Sequence, residues 1–95
     1  MTVFAVILPT PQAAVVEKLK QEFANEFLEI SSTSWLVSGQ GTTEEIIRRL
    51  GVFDRSNPTA SLGNAIAIPV TTYFGRASPA IWEFLKTKIE ALPGG

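Results

Sequence analysis

Ser31-Ser32-Thr33-Ser34-Trp35-Leu36-Val37-Ser38 runs directly into Gly39-Gln40-Gly41-Thr42-Thr43-Glu44-Glu45. Trp35, Leu36 and Val37 are bulky, β-favouring residues set among small hydroxyl residues. The glycines end the strand. Thr42 and Glu45 have the spacing of a capping box, in which each side chain satisfies the other's free backbone N–H. The stretch predicts a central strand with an amphipathic helix hung from its end. Ile46, Ile47 and Leu50 supply the buried stripe of that helix. Gly51 stops it, because glycine takes the left-handed conformation without a Cβ clash.

Upstream, Phe27, Leu28 and Ile30 mark a short strand over residues 27–30. It pairs with residues 35–38 as a hairpin turning within 31–34. Before it, Thr10-Pro11 is a helix-start signature, with the threonine hydroxyl as cap and proline in the first turn. Val15, Val16, Leu19 and Phe23 follow at helical spacing, with Glu17, Lys18, Lys20 and Gln21 opposite, which predicts a helix over residues 11–24. Val3-Phe4-Ala5-Val6-Ile7-Leu8 is continuously apolar. It suits a strand covered on both faces, or on one face and by a partner. Pro9 ends it.

Downstream, residues 52–63 are polar and turn-rich, with Asp54, Ser56-Asn57-Pro58 and Gly63. They read as the longest and most mobile loop. Ala65-Ile66-Ala67-Ile68-Pro69-Val70 is a strand. Proline cannot donate to a ladder, so this strand is expected at a sheet edge, or at least with a free side there. Tyr73, Phe74, Gly75 and Arg76 lie in a connection over residues 71–77. Ser78-Pro79 starts a last helix, whose apolar face is Ile81, Trp82, Leu85, Ile89 and Leu92. Pro93-Gly94-Gly95 ends it, and reads as a frayed end rather than a conjugation tail.

The order is strand, helix, strand, strand, helix, strand, helix. This predicts an α+β fold, a ferredoxin-like βαββαβ sandwich with an added C-terminal helix, as one domain over residues 1–95. That fold orders its strands 4-1-3-2. The two most apolar strands are then central and the proline-bearing strand is at an edge. Both inner helices pack on one face, and the last helix caps an end or edge.

Composition narrows the chemistry. The 95 residues are 45% hydrophobic with two tryptophans, which marks a globular chain. The net charge of −1 lacks the basic excess of a non-specific nucleic-acid binder, although Arg48 adjoins Arg49 and Lys86 is near Lys88. There is no cysteine and no histidine. Disulfides, thiolate metal sites and thiol nucleophiles are excluded, and the commonest general base is missing. The short apolar start lacks a basic leader and a cleavage site, and no apolar run reaches the ~20 residues that cross a bilayer. The expectation is a soluble cytoplasmic protein away from membranes.

From Trp35 onward the chain resembles the SinR-type proteins, small ferredoxin-like relatives of the CRISPR-associated adaptation nuclease family. The resemblance rests on Ser32-Thr33-Ser34-Trp35-Leu36-Val37-Ser38, on Glu45-Ile46 with Leu50, on Ala65-Ile66-Ala67-Ile68-Pro69-Val70 and on Ile81-Trp82-Glu83-Phe84-Leu85. It covers roughly two-thirds of the chain. It implies a homodimer joined through sheet edges and C-terminal segments. It would also imply metal-dependent phosphodiester chemistry, given the family's aspartate after the first strand. Here that place holds Leu8-Pro9-Thr10-Pro11, and the first acidic residue is Glu17. The fold and the dimer carry over; the nuclease activity does not.

Candidate contacts divide into three groups. Gly39, Gly41, Thr42 and Thr43 join a strand to a helix start, where free N–H groups suit an anion; the plainer reading is a turn with a capping box. Tyr73 and Arg76 suit base stacking or a protein partner; the plainer reading is rings that finish the core. Arg48 and Arg49 are read as a solvated helix face, with Glu44 and Arg48 forming an (i, i+4) pair. Asp54 and Arg55 sit in the loop with no visible partner. Trp35 and Trp82 belong to the core or to a dimer interface. No catalytic residue, cofactor or metal is expected. The sequence therefore reads as a homodimeric binding or interaction module joined through residues 65–70. The alternatives are a metal-dependent nuclease using Asp54 or Glu29, or nucleic-acid binding through Arg48, Arg49 and Arg76.

Overall fold

The computed structural model describes residues 2–72, 75–76 and 78–90. The elements are β1 (Thr2–Ile7), α1 (Ala13–Glu22), β2 (Phe27–Ser31), β3 (Ser34–Gly39), α2 (Thr43–Arg49), β4 (Ile66–Pro69) and α3 (Pro79–Leu85), which continues as a π-helical turn over Lys86–Glu90. The chain is α+β, with one four-stranded sheet whose neighbours are all antiparallel, in the order β2-β3-β1-β4. The expectations placed on Tyr73, Phe74, Ala77, Leu92 and Pro93-Gly94-Gly95 lie outside the described residues.

The hairpin closes as its hydroxyl residues dictate. The Ser31 Oγ accepts the Thr33 N–H at 3.2 Å and lies 2.6 Å from the Ser34 Oγ. Such local bonds replace the glycine that a tight turn usually needs. Glu29 pairs with Trp35, but Ser31 pairs with Ser34, so β2 carries one extra residue at Ile30. This β-bulge leaves Ile30 exposed.

Alternation along β1 and β3 sends side chains to two cores. Phe4, Val6, Trp35 and Val37 meet Val15, Leu19 and Phe23 of the α1 segment and Ile46 and Leu50 of the α2 segment. Val3 and Leu36 point the other way and meet Leu85, with Ile81, Trp82 and Ile89 packed around them. The last helix therefore does not cap an end or edge of the sheet. It lies across the second face, because β1 and β3 are apolar on both sides and that face also needs cover.

Two local expectations, the cap of α1 and the partner of Glu44, are corrected, and the long loop carries hydrogen bonds of its own. Helix α1 begins after Gln12, whose side chain makes no cap hydrogen bond, so Thr10 is not the cap. Residues 52–63 are tied down by several hydrogen bonds, including Leu62 N–H to the Gly51 carbonyl at 2.8 Å and Asn57 N–H to the Asp54 carbonyl at 3.0 Å. Glu44 pairs with Arg55 at 2.8 Å rather than with Arg48. The capping box of α2 is as the sequence predicts: the Thr42 Oγ1 accepts the Glu45 N–H, and Glu45 accepts the Thr42 N–H. Gly51 has φ +73° and ends that helix.

Candidate functional site

Among the described residues, strand β4 has a neighbouring strand, β1, on one side only. Val70 N–H donates to the Val3 carbonyl at 2.8 Å, in register with the pairs Phe4–Pro69 and Ile7–Ile66. Antiparallel pairs alternate between hydrogen-bonded and non-hydrogen-bonded. Ile66 and Ile68 therefore spend their backbone groups on β1. The backbone groups of Ala65, Ala67 and Pro69 point outward, away from the sheet. Proline stands where its missing N–H costs the β1 ladder nothing, which is why the strand tolerates it.

The side chains of this border are apolar. Ile66 is 61% exposed, Ile68 50% and the neighbouring Ile7 39%. By the alternation all three lie on the sheet face that α3 shares, but outside its cover. The other face of β4 packs inward, with Ala65 and Ala67 against the core that holds Ile46. No charged residue occurs from Asn64 through Thr72. An edge that is apolar, uncharged and unpaired is what most proteins guard against.

Gln12 anchors the entry to this edge. In register, Asn64 would face Pro9, which has no N–H. The Gln12 side-chain amide takes that role, accepting the Asn64 N–H at 2.7 Å and donating Nε2–H to the Asn64 carbonyl at 2.7 Å. One side chain thus mimics a strand residue and extends the β1 ladder by one rung. Gly63 is needed beside it, because a Cβ there would overlap the Gln12 amide oxygen and lie 2.9 Å from Val15. Gln12→Ala is expected to cost about 1–2 kcal/mol for the two bonds, and to speed amide exchange in residues 63–66. Urea denaturation and hydrogen exchange check this.

The other candidate residues lie elsewhere. At the start of α2, the Glu45 carboxylate sits over Gly41 and accepts the Thr42 N–H and hydroxyl. A negative group therefore occupies the position an anion would need. Thr43 opens a helix of seven residues. Gly39 is buried at the end of β3, where a Cβ would meet the Phe23 ring and the Arg49 guanidinium. Arg49 is only partly exposed, and it is held by partners within the fold. Its guanidinium lies 4.2 Å from the Phe23 ring centroid, and it donates to the Glu22 carboxylate at 3.3 Å and to the Glu22 carbonyl at 2.7 Å. The Arg49 hydrogen bond is the main reason the Glu22 pKa is lowered, with Lys18 adding to it.

Arg48 is exposed and lines a hollow of about 290 Å³ with Gly51, Phe53, Asp54 and Leu62. Asp54 is not partnerless: one carboxylate oxygen accepts the Ser56 hydroxyl at 2.7 Å and the Ser56 N–H at 2.9 Å, and these bonds hold its pKa down. Glu29 is exposed on β2, at the opposite edge of the sheet from β4. Among the described residues, no three acidic side chains converge on a point that would hold a metal ion. Arg76 is exposed, and Tyr73 lies outside the described residues. The candidates singled out from the sequence therefore do not form one site. The exceptions are Gly39 with Arg49, which meet in a structural contact, and Arg48 with Asp54, which line one hollow.

Trp35 is core, 2% exposed, with Phe27 tilted against it at 5.9 Å and Lys20 5.7 Å over its ring. Trp82 is half-buried beneath α3. Among the described residues, no helix is long and apolar enough to cross a membrane. Comparison with family models gives no match, and comparisons with curated proteins and with solved structures give none either.

Proposed function

We propose that this chain is a ferredoxin-like interaction module that works as a homodimer joined through the outer border of β4, without catalysis. The observation that carries the reading is the pair Ile66 and Ile68, 61% and 50% exposed on an unpaired edge strand. The resemblance to SinR-type proteins points the same way, since it implies a dimer through sheet edges. The place after β1 where the nuclease relatives keep an acid holds Leu8-Pro9-Thr10-Pro11.

Magnitudes set the strength of such a dimer. Full burial of an isoleucine is worth about 1.5–3 kcal/mol; with Ile66 61% and Ile68 50% exposed, the surface left to bury in two copies gives on the order of 3–7 kcal/mol before costs. Association itself costs about 4–15 kcal/mol. Edge hydrogen bonds add a modest surplus. Gain and cost are of the same order, so the dimer is expected to be weak and concentration-dependent, and the range to examine runs from micromolar to millimolar. Light scattering across that range tests it. Mass should rise from one chain to two, and Ile66→Lys should weaken dimerisation by about 100-fold or more through a buried, unpaired charge. A wild-type chain that stays monomeric at millimolar concentration overturns the reading.

A further inference from the structure

The outer border of β4 admits only some ways of meeting a second copy, and Pro69 decides among them. Resting on the dimer reading above, we infer that two copies pair antiparallel about a two-fold axis between their Ile66 residues. Each Ala65 exchanges both backbone hydrogen bonds with the partner's Ala67.

The argument is one of donors and acceptors. The outward groups of the border are the N–H and C=O of Ala65 and Ala67 and the C=O of Pro69, by the alternation fixed by Val70 and Val3. A two-fold register centred on Ala67 sets Pro69 opposite Ala65 in a hydrogen-bonded slot. The proline ring then faces the Ala65 carbonyl where an N–H is required, and that acceptor is left orphaned on each side. A register centred on Ile68 sets Pro69 opposite Ala67 and repeats the fault. One centred on Ala65 calls on Gly63, whose N–H and carbonyl are already engaged by the Ser61 hydroxyl. The register centred on Ile66 pairs Ala65 with Ala67 twice. Every outward donor in that span meets an acceptor, and both prolines stand beyond the paired segment.

The same register suits the side chains. Ile66 faces its own copy in a non-hydrogen-bonded pair, where side chains approach most closely. Ile68 falls opposite the partner's Asn64. Asn64 borders a hollow of about 240 Å³ lined also by Ile7, Pro9, Val52 and Ile66, which gives an apolar seat for that side chain. The segment carries no charge, so self-pairing brings no like charges together. Pro69 thus acts as a register stop as well as an edge marker.

The cysteine-free chain allows a clean test. Single variants Ile66→Cys, Ala67→Cys and Ile68→Cys are oxidised mildly at a concentration where light scattering shows dimer. In the inferred register the two residue-66 Cα atoms lie about 4.5 Å apart, within disulfide reach. The residue-67 and residue-68 pairs are separated by more than about 7 Å, beyond reach. Ile66→Cys should give covalent dimer at least tenfold faster than the other two. Adding Pro69→Ala restores the missing N–H and should let Ala67→Cys cross-link. Faster cross-linking of Ala67→Cys or Ile68→Cys in the wild-type background overturns the register. So does a dimer by light scattering with no Ile66→Cys cross-link, which leaves the dimer itself standing. Failure of Pro69→Ala to release the Ala67 cross-link overturns the role given to Pro69. A chain monomeric throughout overturns the dimer and the register together.

Discussion

Trp35→Ala is expected to remove about 3–5 kcal/mol of folding stability. Trp35 sits on β3 between two neighbouring strands and is 2% exposed. Its ring completes the core that α1 and α2 press onto the sheet, and it packs against Phe27. Alanine leaves a cavity that the antiparallel pairs on both sides of β3 prevent from collapsing. Small domains hold only about 5–15 kcal/mol in total, so the loss removes a large share of the margin at the low end of that range. Urea denaturation followed by circular dichroism measures this. A loss under about 1 kcal/mol would show that the first core is not organised around this residue.

Leu85→Ala is expected to cost about 2–5 kcal/mol and to act locally. Leu85 is the buried residue of α3, held against Val3 and Leu36. The rest of that helix is half-buried or exposed. One charge contact helps to hold the segment, Lys88 to Glu26 at 2.5 Å. Without the leucine, α3 should release from the sheet while the opposite core persists. Trp82 emission should shift to the red, and amide exchange over residues 79–90 should accelerate. Protection at Val6 and Leu19 should hold. Uniform loss of protection across all elements would contradict the two-core description.

These two cores explain what the sequence could and could not convey. The continuous apolar run of β1 already demanded cover on both faces, and the stripe of Ile81, Trp82, Leu85 and Ile89 offered it. Helical periodicity shows that a face is buried but not against what, so the placement of α3 at an end or edge was open to error. The Thr42–Glu45 box and the Gly51 stop were legible because they are local: their partners are three residues away or none. Gln12 was illegible because its partner is Asn64, 52 residues on, and glutamine before a helix carries no pattern of its own. Arg49 was misread for the same reason. Its position is right for solvent, but its long stem lets the guanidinium lie on Phe23 and reach Glu22, 27 residues earlier. Asp54 and Arg55 found partners in Ser56 and Glu44 that only the folded loop brings close.

The free border was the most legible part of the candidate site. Pro69 announced an edge, and the isoleucines beside it announced that the edge is apolar. What spacing alone did not reveal is Ile7, which joins Ile66 across the β1–β4 pair to widen the exposed strip.

The outward amide of Ala67 reports on that border directly. Among the described residues no strand lies beyond it in a single copy, so in a monomer it is expected to exchange with solvent freely. In the paired copy it donates to a carbonyl across the axis. Hydrogen exchange at this one amide should therefore slow at least tenfold as concentration rises from micromolar to millimolar, with Ile66→Lys abolishing the slowing. Exchange of Ala67 that stays fast and unchanged over that range would contradict the account.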